Sequence, residues 1–141
     1  MKILLVRLSA LGDIVSALPA LGALRRGLPE AEIHWLVEDR GAALVRMVPG
    51  IARVHVYERR RLVDGLRRFS LPALLEFLRF VRAMRREGFD VAVDFQGNLK
   101  SGALARLSGA RRRIGFPRER SREWSGPLLN ERPAIDSALV H

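Results

Sequence analysis

The sequence contains no cysteine, which excludes disulfides, thiol nucleophiles and thiolate metal sites. It also lacks any uninterrupted apolar stretch near the roughly 18 to 20 residues that a transmembrane helix requires. The amino terminus combines one lysine with a short apolar run and has no small-residue cleavage pattern, so it is interpreted as a strand and not as a signal peptide. Together these absences favour a protein of the cytoplasm.

Lysines and aromatic residues are scarce, whereas arginines are abundant. Positive side chains number 25 against 15 acidic ones, the net charge is +10, and only Lys2 and Lys100 are lysines. Guanidinium groups bind phosphates and carboxylates in bidentate fashion, so an anionic partner is expected: nucleic acid, anionic lipid, a nucleotide or an acidic sugar. Because the few aromatics, 6% of the chain, do not interleave with the arginines, a stacking platform for single-stranded nucleic acid lacks support.

The length of 141 residues and the apolar share of 48% predict a single globular domain. Strand and helix patterns alternate along it. The predicted strands span residues 2–8, 32–37, 53–57, 90–95 and 113–116, and the predicted helices span 12–27, 41–47, 71–87 and 98–107. Such alternation predicts an α/β fold with a Rossmann-like, mostly parallel sheet that carries helices on both faces.

Two further features lie between the third and fourth predicted strands. The basic segment 59–69 is predicted to be a charged loop. The helix over 71–87 has an apolar stripe that includes Leu74, Leu75 and Leu78, together with four arginines on other faces. The stripe is expected to pack on the sheet, with the arginines facing water or lipid headgroups without insertion.

The turn after the first predicted strand is the first candidate site. Gly12 permits close backbone approach, and the start of the following helix concentrates unpaired N–H groups. Asp13 is either a cap of that helix or a functional carboxylate, and its position alone leaves both interpretations open. The turn matches neither a dinucleotide fingerprint nor a P-loop, so neither kind of nucleotide site is predicted.

The turn after the fourth predicted strand is the second candidate site. Ligands of open parallel sheets bind at the carboxyl ends of the strands. Asp94, Gln96, Asn98 and Lys100 bring hydrogen-bonding groups to that edge, which suits a sugar ligand. The alternative is purely structural, with Gly97 forming the turn and the asparagine capping the next helix.

Arginine clusters and histidines complete the candidates. Arginines are grouped at 59–61 with 67–68, and at 111–113 with 118, 120 and 122. Each group is either an anion clamp or a solvated charged surface. His34, His55 and His141 show no metal-ligand spacing, so neither a metal nor a cofactor is predicted.

Four ordered motifs carry a resemblance to a known family. They are KILLVRLSALGDIV with LPAL over residues 2–21, WLVE over 35–38, DVAVDFQGNLKS over 90–101 and RIGF over 113–116. Together they resemble the lipopolysaccharide heptosyltransferases of glycosyltransferase family 9, heptosyltransferase I more than II, over essentially the whole chain. The resemblance implies the N-terminal half of a GT-B fold, with residues 1–141 forming the acceptor-binding domain.

The activity that the resemblance implies is inverting transfer of heptose from ADP-heptose to the Kdo of lipid A, in lipopolysaccharide inner-core synthesis. The C-terminal, donor-binding domain would be absent from this chain, so the 141 residues alone are expected to be inactive. The lipid acceptor implies a cytoplasmic protein that associates peripherally with the anionic inner face of the inner membrane. Neither a metal nor nucleic acid is implied as a partner.

The resemblance also implies roles for particular residues. Asp13 matches the general base, and Gly12 lies beside the donor. The implied acceptor contacts are Ser9, Arg60, Arg61, Gln96, Lys100 and Arg120. Two alternatives stay open: another GT-B half-domain with a different acidic acceptor, and an arginine-rich nucleic-acid-binding module, for which charge is the only evidence.

Overall fold

Residues 1–116 and 126–131 are described by a computed structural model. In chain order the elements are β1 (Lys2–Val6), α1 (Leu11–Gly27), β2 (Glu32–Glu38), α2 (Asp39–Arg46), β3 (Arg53–Tyr57), α3 (Arg59–Arg67), α4 (Leu71–Arg86), β4 (Val91–Asp94), α5 (Leu99–Leu107), β5 (Arg112–Ile114) and a 3₁₀ turn, Gly126–Leu128. Every strand and helix predicted from the sequence forms, with ends within two residues of the prediction. No helix in the described ranges is both long and apolar enough to cross a membrane.

The five strands form one sheet in the order β3-β2-β1-β4-β5, and every neighbouring pair is parallel. This confirms the Rossmann-like fold. The chain runs outward from β1 through β2 to β3, then crosses to the other side of β1 to form β4 and β5. The direction of winding therefore changes between β1 and β4, and in open parallel sheets ligands bind at the carboxyl ends of the strands at such a point.

Two hydrophobic clusters cover the two faces of the sheet. Alternate residues of a strand point to opposite faces, so Ile3 and Leu5 pack with α1 and α2, whereas Leu4 and Val6 pack on the side of α3, α4 and α5. The central strand is almost inaccessible to solvent, and each such side chain contributes about 1.5 to 3 kcal/mol when fully buried. Helices on both faces are thereby confirmed.

The predicted loop over 59–69 is wrong, because residues 59–67 form α3. Arginine has a high helix propensity, and Leu62 is buried against the core cluster that contains Tyr57. Helix α3 also packs closely on α4, since a Cβ placed on Gly65 would lie 2.3 Å from Cβ of Ala73. A charged segment without a long apolar run thus becomes a helix through tertiary packing.

The predicted packing of the α4 stripe on the sheet is only half right. Ala73 and Met84 are buried, and Phe77 and Phe80 pack against the same core cluster. The leucines lie elsewhere on the helix: Leu71, Leu74, Leu75 and Leu78 are between 42% and 64% exposed. Helix α4 therefore has a second apolar face that no described element covers.

Candidate functional site

The turns that follow β1 and β4 are held together by Gln96. Its Oε1 accepts hydrogen bonds from the backbone N–H groups of Leu8, at 3.1 Å, and Ser9, at 3.5 Å. Its Nε2 donates to Oγ of Ser9 at 3.5 Å, and Nη1 of Arg7 donates to the carbonyl of Phe95. Two of the six predicted acceptor contacts, Ser9 and Gln96, therefore meet at one carboxyl edge, and the Gln96 amide oxygen already accepts hydrogen bonds from the backbone.

Asp94 lies beneath this junction and does not line it. Its side chain is buried, Oδ1 accepts from the N–H groups of Gln96 (2.9 Å) and Gly97 (3.1 Å), and Oδ2 accepts from Oγ of Ser101 (2.9 Å). Burial raises the pKa of the Asp94 carboxyl, while these donors and the charge of Arg7 oppose the rise. The expectation that Asp94 offers its carboxylate to a ligand is therefore corrected: it shapes the β4–α5 turn.

Asp13 lies at the start of α1, beside Arg7. It is the third residue of α1, and its Oδ2 accepts from the backbone N–H of the N-cap residue Ala10 at 3.3 Å, as the N3 carboxylate of a capping box does. The same Oδ2 lies 2.9 Å from Nη2 of Arg7, and the side chain is 54% exposed. Among the described residues none donates a hydrogen bond to Oδ1, so the carboxylate is held through one oxygen while the other keeps its hydrogen-bonding capacity.

Arg7 is a candidate site residue to which sequence reasoning gave no role. It follows β1 directly, only 15% of its side chain is exposed, and its guanidinium joins the Phe95 carbonyl to the Asp13 carboxylate. A buried guanidinium is costly unless it is paired. Its Nε is buried with no partner among residues 1–116 and 126–131. Arg7 thus limits the position of the Asp13 carboxylate. In the sequence, the only indication of this contact is a single arginine directly after a predicted strand.

Gly12 lies after β1 and Gly97 after β4, and the two positions differ in whether the fold requires glycine. Gly97 has φ of +73°, and a Cβ there would lie 2.9 Å from the Phe116 ring, so the fold itself requires glycine. Gly12 is helical and exposed, and a Cβ there would meet nothing within 4 Å. The fold does not need glycine at position 12. Its missing side chain instead leaves open surface beside Asp13, as a close-fitting ligand requires.

Lys100 joins this edge from the start of α5. Its Nζ pairs with Oε1 of Glu38, the last residue of β2, whose side chain is only 6% exposed. Lys100 itself is 34% exposed. The pair ties α5 to the neighbouring strand and leaves part of the ammonium group accessible to an anion.

Arginines from α3 line two open grooves at the ends of β2 and β3. The larger, of about 530 Å³, is lined by Asp39, Arg40, Arg59, Arg60, Asp64 and Arg67 among others. The smaller, of about 300 Å³, again includes Arg60 and adds Arg61. Arg61 also pairs with Glu58 at 3.6 Å and Glu76 at 3.3 Å. Arg120, the remaining predicted contact, lies outside the described residues.

The amino edge of the sheet holds a second polar cluster that residue spacing did not reveal. Nδ1 of His34 lies 2.9 Å from Nε2 of His55, and Nε2 of His34 lies 2.8 Å from Oε1 of Glu32. Ligand atoms of His34, His55 and Glu87 all lie within 4.8 Å of one another, a separation that suits a metal ion. Each of the three already has a partner, however, because Glu87 pairs with Lys2 and Arg53.

Burial affects the pKa values of the histidine and the carboxylate in this second cluster differently. Desolvation, with a smaller contribution from the nearby His34 ring, lowers the pKa of His55 to about 4. Burial alone would raise the pKa of the Glu87 carboxyl, but the charge of Arg53 and hydrogen bonds from Lys2 and Arg53 leave it below its usual value. A neutral histidine beside paired carboxylates is a closed structural network.

Comparison with known proteins connects this chain to heptosyltransferases. The model of glycosyltransferase family 9 (heptosyltransferase) matches residues 77–140. Lipopolysaccharide heptosyltransferase 1 of Pseudomonas aeruginosa is 34% identical over 123 residues, which cover 87% of this chain and 34% of the relative. The chain spans about a third of the length of the curated relatives it matches.

Solved structures give the same result. The Escherichia coli heptosyltransferase WaaC with ADP-2-deoxy-2-fluoro heptose superimposes with a TM-score of 0.85 at 29% identity, over 96% of this chain and 43% of that one. The E. coli ADP-heptose heptosyltransferase II superimposes with a TM-score of 0.71 at 20% identity, over 98% and 36% of the two chains, which indicates a shared fold. The sheet described above thus matches one half of a GT-B structure.

Proposed function

The chain belongs to glycosyltransferase family 9, the heptosyltransferases, with heptosyltransferase I as its nearer type, and we propose that residues 1–141 form the N-terminal, acceptor-side domain. In the whole enzyme this domain holds the Kdo of lipid A while heptose is transferred from ADP-heptose with inversion. The observation that carries the proposal is the Asp13 carboxylate, held through Oδ2 by Arg7 and Ala10, with no hydrogen-bond donor to Oδ1 among the described residues.

The reaction assigns one step to this domain. The acceptor hydroxyl oxygen bonds to the anomeric carbon of heptose as the bond from that carbon to the ADP oxygen breaks, so ADP leaves with the electron pair. Asp13 takes the proton of the attacking hydroxyl. A general base has to lie within hydrogen-bond reach of the proton that it removes, and the contacts of Asp13 with Arg7 and Ala10 limit the orientations of the carboxylate.

The charge of the grooves supports the assignment to the acceptor side. Kdo carries a carboxylate and lipid A carries phosphates, and arginine binds both groups in bidentate fashion. Arg60 lines both grooves, Arg61 lines the smaller one, and the partly exposed Lys100 pairs with Glu38, which lines the larger one. Arg120 remains a predicted contact. Ser9 and Gln96 border the same edge, where their mutual bonds hold the turn that presents Asp13.

The remaining features follow from the acceptor. Because lipid A is anchored in a bilayer, the enzyme works at the cytoplasmic face of the inner membrane as a peripheral protein. The donor ADP would bind mainly to the half that these residues do not include, so the 141 residues alone are proposed not to transfer heptose. The nucleic-acid alternative is set aside, since charge was its only support. A different acidic acceptor is the alternative that remains.

A chimera tests the proposed activity. Residues 1–116 replace the corresponding part of E. coli heptosyltransferase 1, whose own sequence supplies the rest, and ADP release is measured with ADP-heptose and Kdo-lipid A. We expect transfer to Kdo-lipid A and none to lipid A without Kdo. A chimera that folds and binds ADP but transfers only to another acidic saccharide would identify a different acceptor. One that transfers to neither would contradict the proposal.

A further inference from the structure

Helices α3 and α4 form a hairpin whose outer face is apolar but does not pack against the hydrophobic core. Leu71, Leu74, Leu75 and Leu78 follow the i, i+3, i+4, i+7 spacing of a helical stripe, and each is at least 42% exposed. The core-facing stripe of α4 consists of other residues, with Ala73 and Met84 buried. A helix with a separate, uncovered apolar stripe marks an interaction surface.

The tip of the hairpin extends this stripe. Phe69 lies between the two helices and is 96% exposed, and its φ of +52° is uncommon for a residue other than glycine. Leu66, in the last turn of α3, is 37% exposed. A phenylalanine this exposed at a turn adds apolar surface to the tip and makes no contribution to the core.

The charged residues around the stripe are mostly basic, and few of them are acidic. Residues 66–86 contain six arginines and one acidic residue, Glu76, which pairs with Arg61 at 3.3 Å. At about 100° per residue, Arg79, Arg82 and Arg86 continue the leucine face toward the end of α4, and all three are exposed. The surface is therefore apolar at the tip and cationic farther along the same helix.

The hairpin rises beside the candidate site. Contacts of Arg61 with Glu76 and of Gly65 with Ala73 show that the two helices are antiparallel. Helix α4 has 16 residues, about 24 Å at 1.5 Å each, and leads into β4, whose four residues span only about 13 Å. The start of α4 therefore extends past the carboxyl edge of the sheet, on the side where Arg60 lines the grooves.

We propose that the α3–α4 hairpin docks this protein on an anionic lipid bilayer, with Phe69 and the exposed leucines in the interface and the arginines on lipid phosphates. The inference rests on the proposed function in one respect, that a lipid-anchored acceptor has to be met at a membrane. The charge of the hairpin favours a lipid bilayer over a protein as the binding partner. A bilayer of anionic lipids offers apolar and negative zones in the order that the helix presents them, whereas a protein surface would have to supply both.

Vesicle binding by the 141-residue chain tests the apolar part. Vesicles of phosphatidylethanolamine with phosphatidylglycerol are compared with vesicles of phosphatidylcholine alone. Phe69→Ser with Leu71→Gln should weaken binding to the anionic vesicles by about tenfold or more. The matched control is Met47→Gln with Leu28→Gln, two exposed apolar residues that directly follow α2 and α1 on the other face of the sheet, 81% and 39% exposed. It should bind like the wild type.

Charge variants test the cationic part. Replacement of Arg79 and Arg82 by Gln should weaken binding to anionic vesicles by about fivefold per residue and reduce its salt dependence. Replacement of the exposed Arg25 and Arg26, both in the last turn of α1, by Gln removes the same charge from the opposite face and should have little effect. Thermal unfolding of all variants verifies that each is folded.

Three results would overturn the inference. They are absence of binding to anionic vesicles, equal losses in the test and control variants, and sedimentation as a dimer that Phe69→Ser converts to a monomer, which would assign the face to a second copy. Binding of a lipid-free Kdo saccharide, measured in parallel, separates the two proposals. If the chain binds anionic vesicles but not the Kdo saccharide, the proposed acceptor is refuted. If it binds the Kdo saccharide but not the vesicles, only the docking surface is refuted.

Discussion

The two edges of the sheet each hold a network of buried and half-buried polar groups, and within residues 1–116 and 126–131 they differ in how completely those groups are paired. At the amino edge, His34, His55 and Glu87 all have partners within the protein. At the carboxyl edge, Arg7 and Gln96 also have partners, and Arg7 together with the N–H of Ala10 holds the Asp13 carboxylate through a single oxygen. A polar network can act on a substrate only where the fold leaves one group both positioned and incompletely paired.

The largest expected effect comes from Asp13→Asn at the carboxyl edge. In the chimera, loss of the proton acceptor should lower kcat by about 10² to 10⁴-fold. The amide keeps an oxygen that can accept from the N–H of Ala10, so the fold and the affinity for acceptor should persist. Single-turnover transfer and acceptor titration measure the two quantities. Unchanged turnover would return Asp13 to a helix cap.

Arg7→Met should have the next largest effect, because it releases Asp13 without removing it. We expect kcat to fall by about ten- to a hundredfold with little change in the KM for acceptor. The variant should also lose about 1 to 3 kcal/mol of stability, since the Phe95 carbonyl loses its donor. Arg7→Lys should recover part of the activity. A purely structural role would instead give full kcat in whatever fraction of the variant is folded.

Gly12→Ala tests, at the carboxyl edge, a position that the fold itself leaves free to change. A Cβ there meets no protein atom within 4 Å, and alanine in a helix is more stable than glycine by up to about 1 kcal/mol. The chain should therefore unfold at the same or a slightly higher temperature, while the KM for ADP-heptose in the chimera rises severalfold. Gly97→Ala is the contrasting control, because its strain should lower stability. Unaltered donor KM in the Gly12 variant would place the donor elsewhere.

The amino edge should affect stability and not catalysis. His55 has a pKa of about 4 in the folded protein and 6.5 when unfolded, so between these values the unfolded state binds more protons. The free energy of unfolding should then fall as pH drops from about 6.5 to 4, by on the order of 2 kcal/mol once solvent screening is allowed for. His55→Gln should flatten that part of the profile in urea titrations and follow the wild type above pH 7. Equal slopes would contradict the assignment.

Sequence reasoning predicted the carboxyl edge better than the amino edge for a physical reason. The carboxyl ends of parallel strands meet at one edge, so Ser9 and Gln96 could be placed together before their contact was known. The histidine contact depends on register instead. His34 pairs opposite Arg53 and Leu36 opposite His55, which brings the two rings to neighbouring positions on one face. Nothing in the local sequence specifies that register.

The hairpin was misjudged for a similar reason. Helix α3 forms because Leu62 and Gly65 find partners in the core and on α4, and neither contact is visible in a run of arginines. The leucines of α4 were assigned to the core because helical spacing identifies a stripe without showing which way it faces. Phenylalanines at 77 and 80 take the inner position.

Titration of the 141-residue chain with a lipid-free Kdo saccharide and with ADP tests the central claim most directly, because it asks which substrate this half of the enzyme holds. An acceptor-side domain should bind the Kdo saccharide, lose that affinity when Arg60 and Lys100 are changed to Gln, and show no measurable binding of ADP. Binding of ADP without the saccharide would contradict the account and assign these residues to the donor side.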